Sequence, residues 1–458
     1  MTEHLTTAFL ARTLANHGYD VREGPDVPIT GGAAHSALVT PGDLFAAFRG
    51  EHADGNDYVD EALERGAVAV ICERAPRGDW QDRTIAVVDD SRRAVAAVAH
   101  AWRRECRTTV VGITGTVGKT TAKDLVAATL SSRFPTHRSP GNFNSREGLP
   151  LAIASLRRDH QVSVLEMAMD SPGEIGELCG IAEPNIGIVI NIGLTHVSKL
   201  GSIDAIQREK LTLPRSLPAD GTAILNIDDT RIAPVVAELS CRVLTFGAHH
   251  DAAVRHGPIT DHGLGGTAFQ VIYRGEVHEV RLRMPGVHVV PAAMAAACTG
   301  LALGMPLAEV ADAVSHAPVD GRMVIRRGVR GATILDDRYN SSPASLEGAL
   351  RLLAGLPGQR IALLGEMAEL GPFGEAEHAR LGGVAAHCCD RLVATGPLCR
   401  HLVAEARHAG LAEAGWFESK EEAAREVRRI ADKGDHILVK ASRSQAFETI
   451  IPLLEGDA

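Results

Sequence analysis

Short apolar runs alternate with amphipathic segments along most of this chain, a pattern typical of an α/β protein. In the first part, Asp43–Phe48 is followed by the polar-faced segment Asp60–Arg65 and by apolar runs at Ala67–Ile71 and Thr84–Val88. The next apolar runs that predict strands are Thr109–Ile113, Val162–Leu165, Ile186–Asn191 and Ala223–Asn226. Continuous runs of this kind suit a parallel sheet that is covered on both faces.

The pattern changes between Arg242 and Arg283, where short runs such as Phe269–Tyr273 and Val277–Leu282 alternate. We interpret this segment as antiparallel strands within or at the edge of the central sheet. The uncharged stretch Pro285–Leu307 holds three prolines and a histidine, so it predicts a buried helix that starts near Pro291 rather than a membrane span.

After the Pro- and Gly-punctuated segment Ser315–Gly321, strand and helix patterns alternate again. The predicted strands are Thr333–Leu335, Arg360–Leu364, Arg391–Thr395 and His436–Val439, and the predicted helices are Pro343–Ala354 and Ala376–His387. This order predicts a second doubly wound domain. The chain therefore divides into a small α/β domain at 1–107, a central domain at 108–318 and a Rossmann-like domain at 319–458.

Composition limits the partners of this 458-residue chain. A net charge of −10 argues against a general nucleic-acid or membrane surface, and no apolar leader stands at the N-terminus. The eight cysteines show no Cys-x-x-Cys spacing, which argues against a zinc site and favours buried thiols in a cytoplasmic protein.

A glycine-rich loop follows the predicted strand Thr109–Ile113 and precedes a predicted helix at Thr121–Leu130. Gly115 and Gly118 permit a tight turn around phosphate oxygens, Lys119 supplies positive charge, and the Thr120 hydroxyl is a magnesium ligand type. Ile113 stands where the strict P-loop has glycine, so the loop is a variant P-loop. The residues predicted to bind nucleotide here are Gly115, Thr116, Val117, Gly118, Lys119, Thr120 and Thr121.

Two further side chains follow predicted strands, at the sheet edge where ligands of α/β proteins gather. Glu166 comes directly after Val162–Leu165, and His196 comes shortly after Ile186–Asn191. A carboxylate there can hold Mg²⁺ beside the phosphates. Lys210, on a predicted helix, is by its spacing alone a solvated lysine.

In this order the motifs resemble the Mur ligases, and the resemblance covers nearly the whole chain. The segments that carry it are Thr40–Phe45, Thr114–Thr121, Gly141–Asn144, Glu166–Met169, Asn191–Gly193 with His196, Pro318–Met323, Asp336–Asn340, Leu364–Gly371 and Lys440–Arg443. Within the family, the similarity is greatest to the ligases that add D-alanyl-D-alanine to a UDP-N-acetylmuramoyl tripeptide.

The resemblance implies an acceptor-binding domain, a central ATPase domain and a Rossmann-like third domain. It implies amide-bond formation through an acyl phosphate, with ATP, Mg²⁺, a UDP-linked or other small-molecule carboxylate, and an amino-acid or dipeptide amine. Lys119, His196 and Lys210 would be catalytic, Lys210 as a carbamate, with Thr120, Glu166, His196 and Lys210 on the metals. Arg322 and Asp337 would touch the nucleotide. The residues implied on the acceptor or amine side are Ser36, Asn142, Asn144, Asn340, Ser342 and Arg443.

The chain departs from the family pattern at four places. In the third domain, Tyr339–Pro343 reads Tyr-Asn-Ser-Ser-Pro for the family's Tyr-Asn-Ala-Asn-Pro, and single changes occur at Glu366 and Ala441. The other two places are specificity segments. His35-Ser36-Ala37 stands where the family has Asp-Ser/Thr-Arg, and His288–Ala292 lacks both amides of the family's His-Asn-x-x-Asn. These changes favour a ligase recruited to a modified or non-peptidoglycan acceptor in specialised metabolism. The alternative is the peptidoglycan ligase itself. A P-loop NTPase or nucleotide-binding protein without ligase activity is the alternative from another class.

Overall fold

The computed structural model describes residues 3–50, 53–318 and 323–456, so the predicted nucleotide contact Arg322 lies outside the described residues. The described strands form three sheets that follow one another along the chain, each with helices packed on it. This arrangement confirms the predicted α/β class. Among the described helices, none combines the length and apolar character that a membrane crossing requires.

The first sheet is small and mostly parallel, with strand order β1-β5-β4-β3-β2 and only β1 antiparallel to its neighbour. Its strands are β1 (Asp20–Arg22), β2 (Gly31–Ala33), β3 (Asp43–Ala46), β4 (Ala69–Cys72) and β5 (Thr84–Val87). Its helices are α1 (Thr7–Asn16), α2 (Val59–Glu64) and α3 (Ser91–Glu105).

The central sheet has ten strands and carries the glycine-rich loop after its strand β6. The strands are β6 (Thr109–Thr114), β7 (Thr136–Arg138), β8 (Val162–Glu166), β9 (Ile186–Val189), β10 (Thr222–Asn226), β11 (Arg242–Gly247), β12 (Val254–His256), β13 (Thr260–Asp261), β14 (Thr267–Tyr273) and β15 (Glu276–Leu282). The helices are α4 (Lys119–Ser131), α5 (Gly148–Ala154), α6 (Glu174–Ala182), α7 (Val197–Leu200), α8 (Ile203–Lys210), α9 (Thr212–Arg215), α10 (Val290–Ala302) and α11 (Leu307–Ser315).

The prediction for Arg242–Arg283 is partly wrong. Strand β11 pairs parallel to β10, and β12 pairs parallel to β11, so the parallel core of the sheet extends further than expected. Antiparallel pairing begins only at the edge, where β14 pairs antiparallel with β12, β13 and β15. A half-buried parallel strand has the same alternation of apolar and polar residues as an antiparallel one, so the pattern could not separate them.

The third sheet has the order β16-β17-β21-β18-β19-β20, and only β16 is antiparallel to its neighbour. Its strands are β16 (Val324–Arg327), β17 (Thr333–Asp336), β18 (Arg360–Leu364), β19 (Arg391–Thr395), β20 (Ala414–Phe417) and β21 (His436–Lys440). Its helices are α12 (Pro343–Ala354), α13 (Gly374–Cys388), α14 (Cys399–His408), α15 (Lys420–Ile430) and α16 (Ile451–Leu454).

The first and central sheets share a hydrophobic core, because α3 lies between them. Trp102 on α3 is buried and its indole N–H donates to the carbonyl of Leu156 at 2.8 Å. The neighbouring Arg103 donates to the carbonyl of Ala182 at 2.7 Å. Contact between the central and third sheets is made partly by Leu194, which packs against the cores on both sides.

Candidate active site

The turn between β6 and α4 is held from outside by Asn191, which follows β9. The side-chain oxygen of Asn191 accepts the backbone N–H groups of Thr116 at 3.0 Å and Val117 at 2.9 Å. Its amide nitrogen donates to the carbonyl of Val117 at 3.0 Å. Gly118 has φ +79° and is followed at once by α4, which begins at Lys119, two residues before its predicted start.

These hydrogen bonds to Asn191 separate the residues predicted to bind phosphate into two groups: those whose backbone N–H groups already have an acceptor, and those at the start of α4. The N–H groups of Thr116 and Val117 are engaged by Asn191, and the Thr116 hydroxyl bonds to both backbone groups of Gly193. The backbone donors expected to meet an anion are therefore those at the start of α4, which have no acceptor within the helix. We expect Gly118–Thr121 to make the phosphate contacts, with Thr116 and Val117 shaping the turn.

Glu166, the last residue of β8, is buried beside this helix end. One carboxylate oxygen accepts the Thr120 hydroxyl at 2.7 Å, and the other accepts the Asn144 side-chain amide at 2.8 Å. The loop that carries Asn144 is in turn held by Lys123 of α4, whose ammonium donates to the carbonyl of Gly141 at 2.8 Å. Helix, strand end and loop therefore meet at one carboxylate.

Two lysines meet at the carbonyl of Gly115. The ammonium of Lys119 lies 3.0 Å from this oxygen, and Nζ of Lys210, at the end of α8, lies 2.9 Å from it. Lys210 is fully buried. Burial, with Lys119 close by, lowers the pKa of Lys210 well below its ordinary value, and Glu209 opposes this effect. Lys210 is therefore a buried lysine directly beneath the glycine-rich loop, whereas its spacing in the sequence suggested a solvated side chain.

His196 stands at the start of α7 with φ +51°, in the left-handed region that few residues other than glycine adopt. Its Nδ1 lies 2.5 Å from a carboxylate oxygen of Glu369 in the third domain and 3.2 Å from Asp170. Contact with His196 lowers the pKa of the Glu369 carboxyl. Neither acidic partner of His196 was predicted from the sequence.

On the third-domain side, the cavity wall opposite the glycine-rich loop contains an ion pair between Lys440 and Asp337. Lys440, at the end of β21, is buried, and its Nζ lies 2.6 Å from Asp337 and 2.9 Å from the carbonyl of Asn340. The backbone N–H of Asp337 donates to the carbonyl of Val439. The pair therefore joins the ends of the adjacent strands β17 and β21.

Most of these groups line one cavity of about 340 Å³ between the central and third domains, although Lys210 and Glu369 are not part of its wall. The predicted site residues that line it are Thr116, Val117, Gly118, Lys119, Thr120, Thr121, Asn142, Asn144, Glu166, His196, Asp337, Asn340 and Ser342. A cavity of this size, charged and polar where the loop opens into it, suits a nucleotide. Predictions drawn from three separate segments therefore converge in space.

Another part of the cavity wall is apolar and comes from the segment before α10. The side chains here include Met284, Pro285, Val289 and Ala292. The ring of His288 stands among them, packed against Gly348 of α12, and the desolvation that it undergoes there lowers its pKa. This wall suits a flat, apolar-faced base, and the residues at 289 and 292 offer no side-chain amide to it.

Five predicted residues lie apart from the cavity wall or outside the described residues. Lys210 is buried beneath the loop, with Nζ beside the Gly115 carbonyl. Gly115 lies behind the loop, packed against Ile190. The Ser36 hydroxyl donates to Glu61 at 3.1 Å within the first domain, and the Arg443 guanidinium lies over the Tyr339 ring, 5.2 Å from its centroid. Arg322 lies outside the described residues. Their roles in binding stay predictions.

Three family models match the chain in succession. They are "Mur ligase family, catalytic domain" at residues 28–103, "Mur ligase middle domain" at 113–300 and "Mur ligase, glutamate ligase domain" at 321–443. The chain is 32% identical over 446 residues to the UDP-N-acetylmuramoyl-tripeptide–D-alanyl-D-alanine ligase of Bacillus subtilis, covering 96% of this chain and 95% of the relative.

Solved structures agree with these matches. MurF from Acinetobacter baumannii superposes with a TM-score of 0.85 at 27% identity, covering 98% of both chains. MurF from Thermotoga maritima in complex with ADP superposes with a TM-score of 0.78 at 28% identity, covering 93% of this chain and 97% of that one.

Proposed function

Since the chain belongs to the Mur ligase family and is an ATP-dependent C–N ligase, we propose that it joins D-alanyl-D-alanine to a UDP-N-acetylmuramoyl tripeptide in peptidoglycan synthesis. The observation that carries the proposal is end-to-end similarity, because relatives of this one activity match 96% and 94% of the chain at 32% and 31% identity. The comparisons favour this alternative over the specialised acceptor suggested by His35–Ala37 and His288–Ala292.

The proposed reaction has two steps, and both need groups from more than one domain. The tripeptide carboxylate attacks the γ-phosphorus of ATP, forming an acyl phosphate and breaking the bond to ADP. The dipeptide amine then attacks the acyl carbon, an amide bond forms, and phosphate leaves with a proton lost from the nitrogen. In this proposal Lys119 and the N–H groups at the start of α4, which line the cavity, offset the charge that develops on the transferring phosphoryl group.

The donor set beside Lys119 fits magnesium. A threonine hydroxyl and a buried carboxylate, 2.7 Å apart at Thr120 and Glu166, are hard oxygen ligands of the kind that Mg²⁺ prefers. In our proposal these two hold one ion and His196 contributes to a second. When bound, Mg²⁺ would offset negative charge on the phosphate oxygens.

Lys210 fits a carbamate for a separate reason. Carbamylation requires a neutral amine to attack CO₂, and burial beside Lys119 favours that neutral form. The product would be an anion that can contribute to a magnesium site. This role rests on the family resemblance and on the position of Nζ beside the loop, 2.9 Å from the Gly115 carbonyl.

The activity is tested with the purified full chain, ATP, Mg²⁺, UDP-N-acetylmuramoyl tripeptide and D-alanyl-D-alanine. We expect phosphate release that depends on both substrates and a product whose mass equals their sum minus water. Activity with another carboxylate or amine, but not with these, would favour the specialised acceptor. Phosphate release without any carboxylate or amine would instead favour a simple NTPase.

A further inference from the structure

The contact between His196 and Glu369 joins two domains at a point where both backbones adopt an unusual conformation. His196 has φ +51° and Glu369 has φ +66°. Such conformations cost free energy in residues with a side chain, so they persist where surrounding contacts fix them. The carboxylate of Glu369 reaches Nδ1 of His196 at 2.5 Å, and the Glu369 carbonyl accepts the Ser198 N–H at 3.3 Å.

The surrounding contacts hold the two loops together closely. Gly371 has φ +53°, and a side chain there would come within 3.4 Å of the Ser198 backbone. Leu194, two residues before His196, packs against both the central and the third-domain cores. On the central side, Asp170 lies 3.2 Å from the same Nδ1, and its own N–H is held by Glu174 at 2.8 Å.

A carboxylate beside Nδ1 has a defined effect on an imidazole. It favours the tautomer with the proton on Nδ1, which leaves Nε2 as the ring nitrogen with a lone pair for a metal. Asp170 could supply this effect within the central domain, but it is shared with Lys199 at 3.4 Å and is well exposed. Glu369 is closer to Nδ1 and comes from the domain that must close over the nucleotide.

We propose that Glu369 is a positioning residue for His196, so that closure of the third domain sets the histidine on the magnesium side of the site. The inference rests on the proposed role of His196 in the ligase reaction. It makes the metal-side geometry depend on closure: with the third domain open, His196 keeps only the weaker contact with Asp170. Glu369 itself touches neither substrate nor metal in this proposal.

The first test measures magnesium-dependent ADP binding by calorimetry in Glu369→Ala, Glu369→Gln and the control Glu418→Ala, an exposed glutamate of the same domain. We expect the Mg²⁺ concentration for half-maximal ADP affinity to rise about 10- to 100-fold in Glu369→Ala, in the range found for partners of metal ligands. Glu369→Gln, which keeps the size and an acceptor oxygen, should recover part of this loss. Equal values for Glu369→Ala and Glu418→Ala would overturn the proposal.

A double-mutant cycle decides whether Glu369 acts through His196. In a His196→Ala background, Glu369→Ala should add less than about twofold to the loss in Mg²⁺ dependence. Additive losses in the two variants would contradict a positioning role. Small-angle scattering with ADP and Mg²⁺ supplies a readout independent of chemistry, with a larger radius of gyration expected for Glu369→Ala than for Glu418→Ala. An unchanged radius would remove closure from the proposal.

These measurements need no acceptor or amine. Failure of the proposed function, seen as no amide product in the wild-type chain, would leave the ADP and scattering tests intact. Should Glu369→Ala fail to fold, as judged by circular dichroism, Glu369→Gln carries the test, and a Mg²⁺ dependence for it that matches Glu418→Ala together with additive behaviour in the cycle would overturn the inference.

Discussion

The side chain of Asn191 holds both backbone groups of Val117, accepting its N–H at 2.9 Å and donating to its carbonyl at 3.0 Å. One amide thus fixes the turn before the phosphate site. Asn191→Ala should weaken ADP binding about 10- to 100-fold, because the Val117 N–H loses its acceptor, the Val117 carbonyl loses its donor, and the turn is no longer pre-organised. Calorimetric titration of ADP with Mg²⁺ measures this, with exposed Asn16→Ala as the control. Affinity equal to that control would mean that the loop holds its own shape.

Lys119 lies at the start of α4 and lines the cavity. Lys119→Ala should lower the rate of phosphate release by at least about 10²- to 10³-fold, the size expected when a charge-stabilising donor is removed from a transition state. Exposed Lys433→Ala is the matched control, because it removes the same charge far from the cavity. Turnover that survives in Lys119→Ala would refute the role of the loop in catalysis.

Lys210 is fully buried, with Nζ 2.9 Å from the Gly115 carbonyl. We expect Lys210→Ala to be inactive and to regain part of its activity when short carboxylates such as acetate are added, since these can occupy the space of the lost carbamate. Carbon-13 NMR of the wild type in labelled bicarbonate should give a carbamate signal that the variant lacks. Full activity of Lys210→Ala without any addition would exclude the lysine from the site.

Asp337 is the charged partner of the buried Lys440, 2.6 Å away. Asp337→Ala leaves a buried ammonium without its counter-ion, so the third domain should lose about 3–5 kcal/mol of stability. The double variant Asp337→Ala/Lys440→Met removes both charges and should recover most of that loss, as measured by denaturant unfolding. If ADP binding stays weak in the stable double variant, the Asp337–Lys440 pair contributes to nucleotide binding as well as to the stability of the third domain. Recovered binding would restrict Asp337 to a structural role.

Much of the fold follows from local signals in the sequence. Helix α12 and strand β18 have the bounds that the pattern predicts, since Pro343 marks the helix start and Gly355 follows its end. Short strands such as β1 and β2 were not predicted, because three residues are too few for a periodic signal. For β11, alternation of residues gave no information on strand direction.

Some contacts of the candidate site could likewise be predicted from the sequence, and others could not. Glu166 and the glycine-rich loop each follow a strand, and the carboxyl ends of parallel strands lie at the same edge of a sheet. The sequence alone therefore predicts that they lie close together. The contact of His196 with Glu369 depends on two loops of different domains meeting, and each residue alone is an ordinary polar residue in sequence. The place of Lys210 also needed the fold, because helix periodicity cannot say that a lysine points inward beneath the loop.

His137 gives a prediction about stability and pH. It is buried on β7, its two ring nitrogens lie 2.9 Å from the Ser163 hydroxyl and 3.0 Å from the Ser155 hydroxyl, and burial lowers its pKa from 6.5 to about 3. Above pH 6.5 neither folded nor unfolded chain protonates this ring, so there is no linked effect. Below pH 6.5 this ring is protonated in the unfolded chain but stays neutral in the folded chain. The free energy of unfolding therefore falls until the pH approaches 3.

The size of that loss follows from the shift. Between pH 7 and pH 5 the His137 contribution should cost about 2 kcal/mol, since each pH unit below the unfolded pKa costs about 1.4 kcal/mol. His137→Gln keeps polar atoms near both serines but cannot titrate, so its melting temperature should decline less than that of the wild type over this range. His408→Gln, an exposed helix-end variant, should follow the wild-type profile. Parallel declines in the His137 variant and the wild type would show that other groups, and not this buried ring, set the acid sensitivity of the central domain.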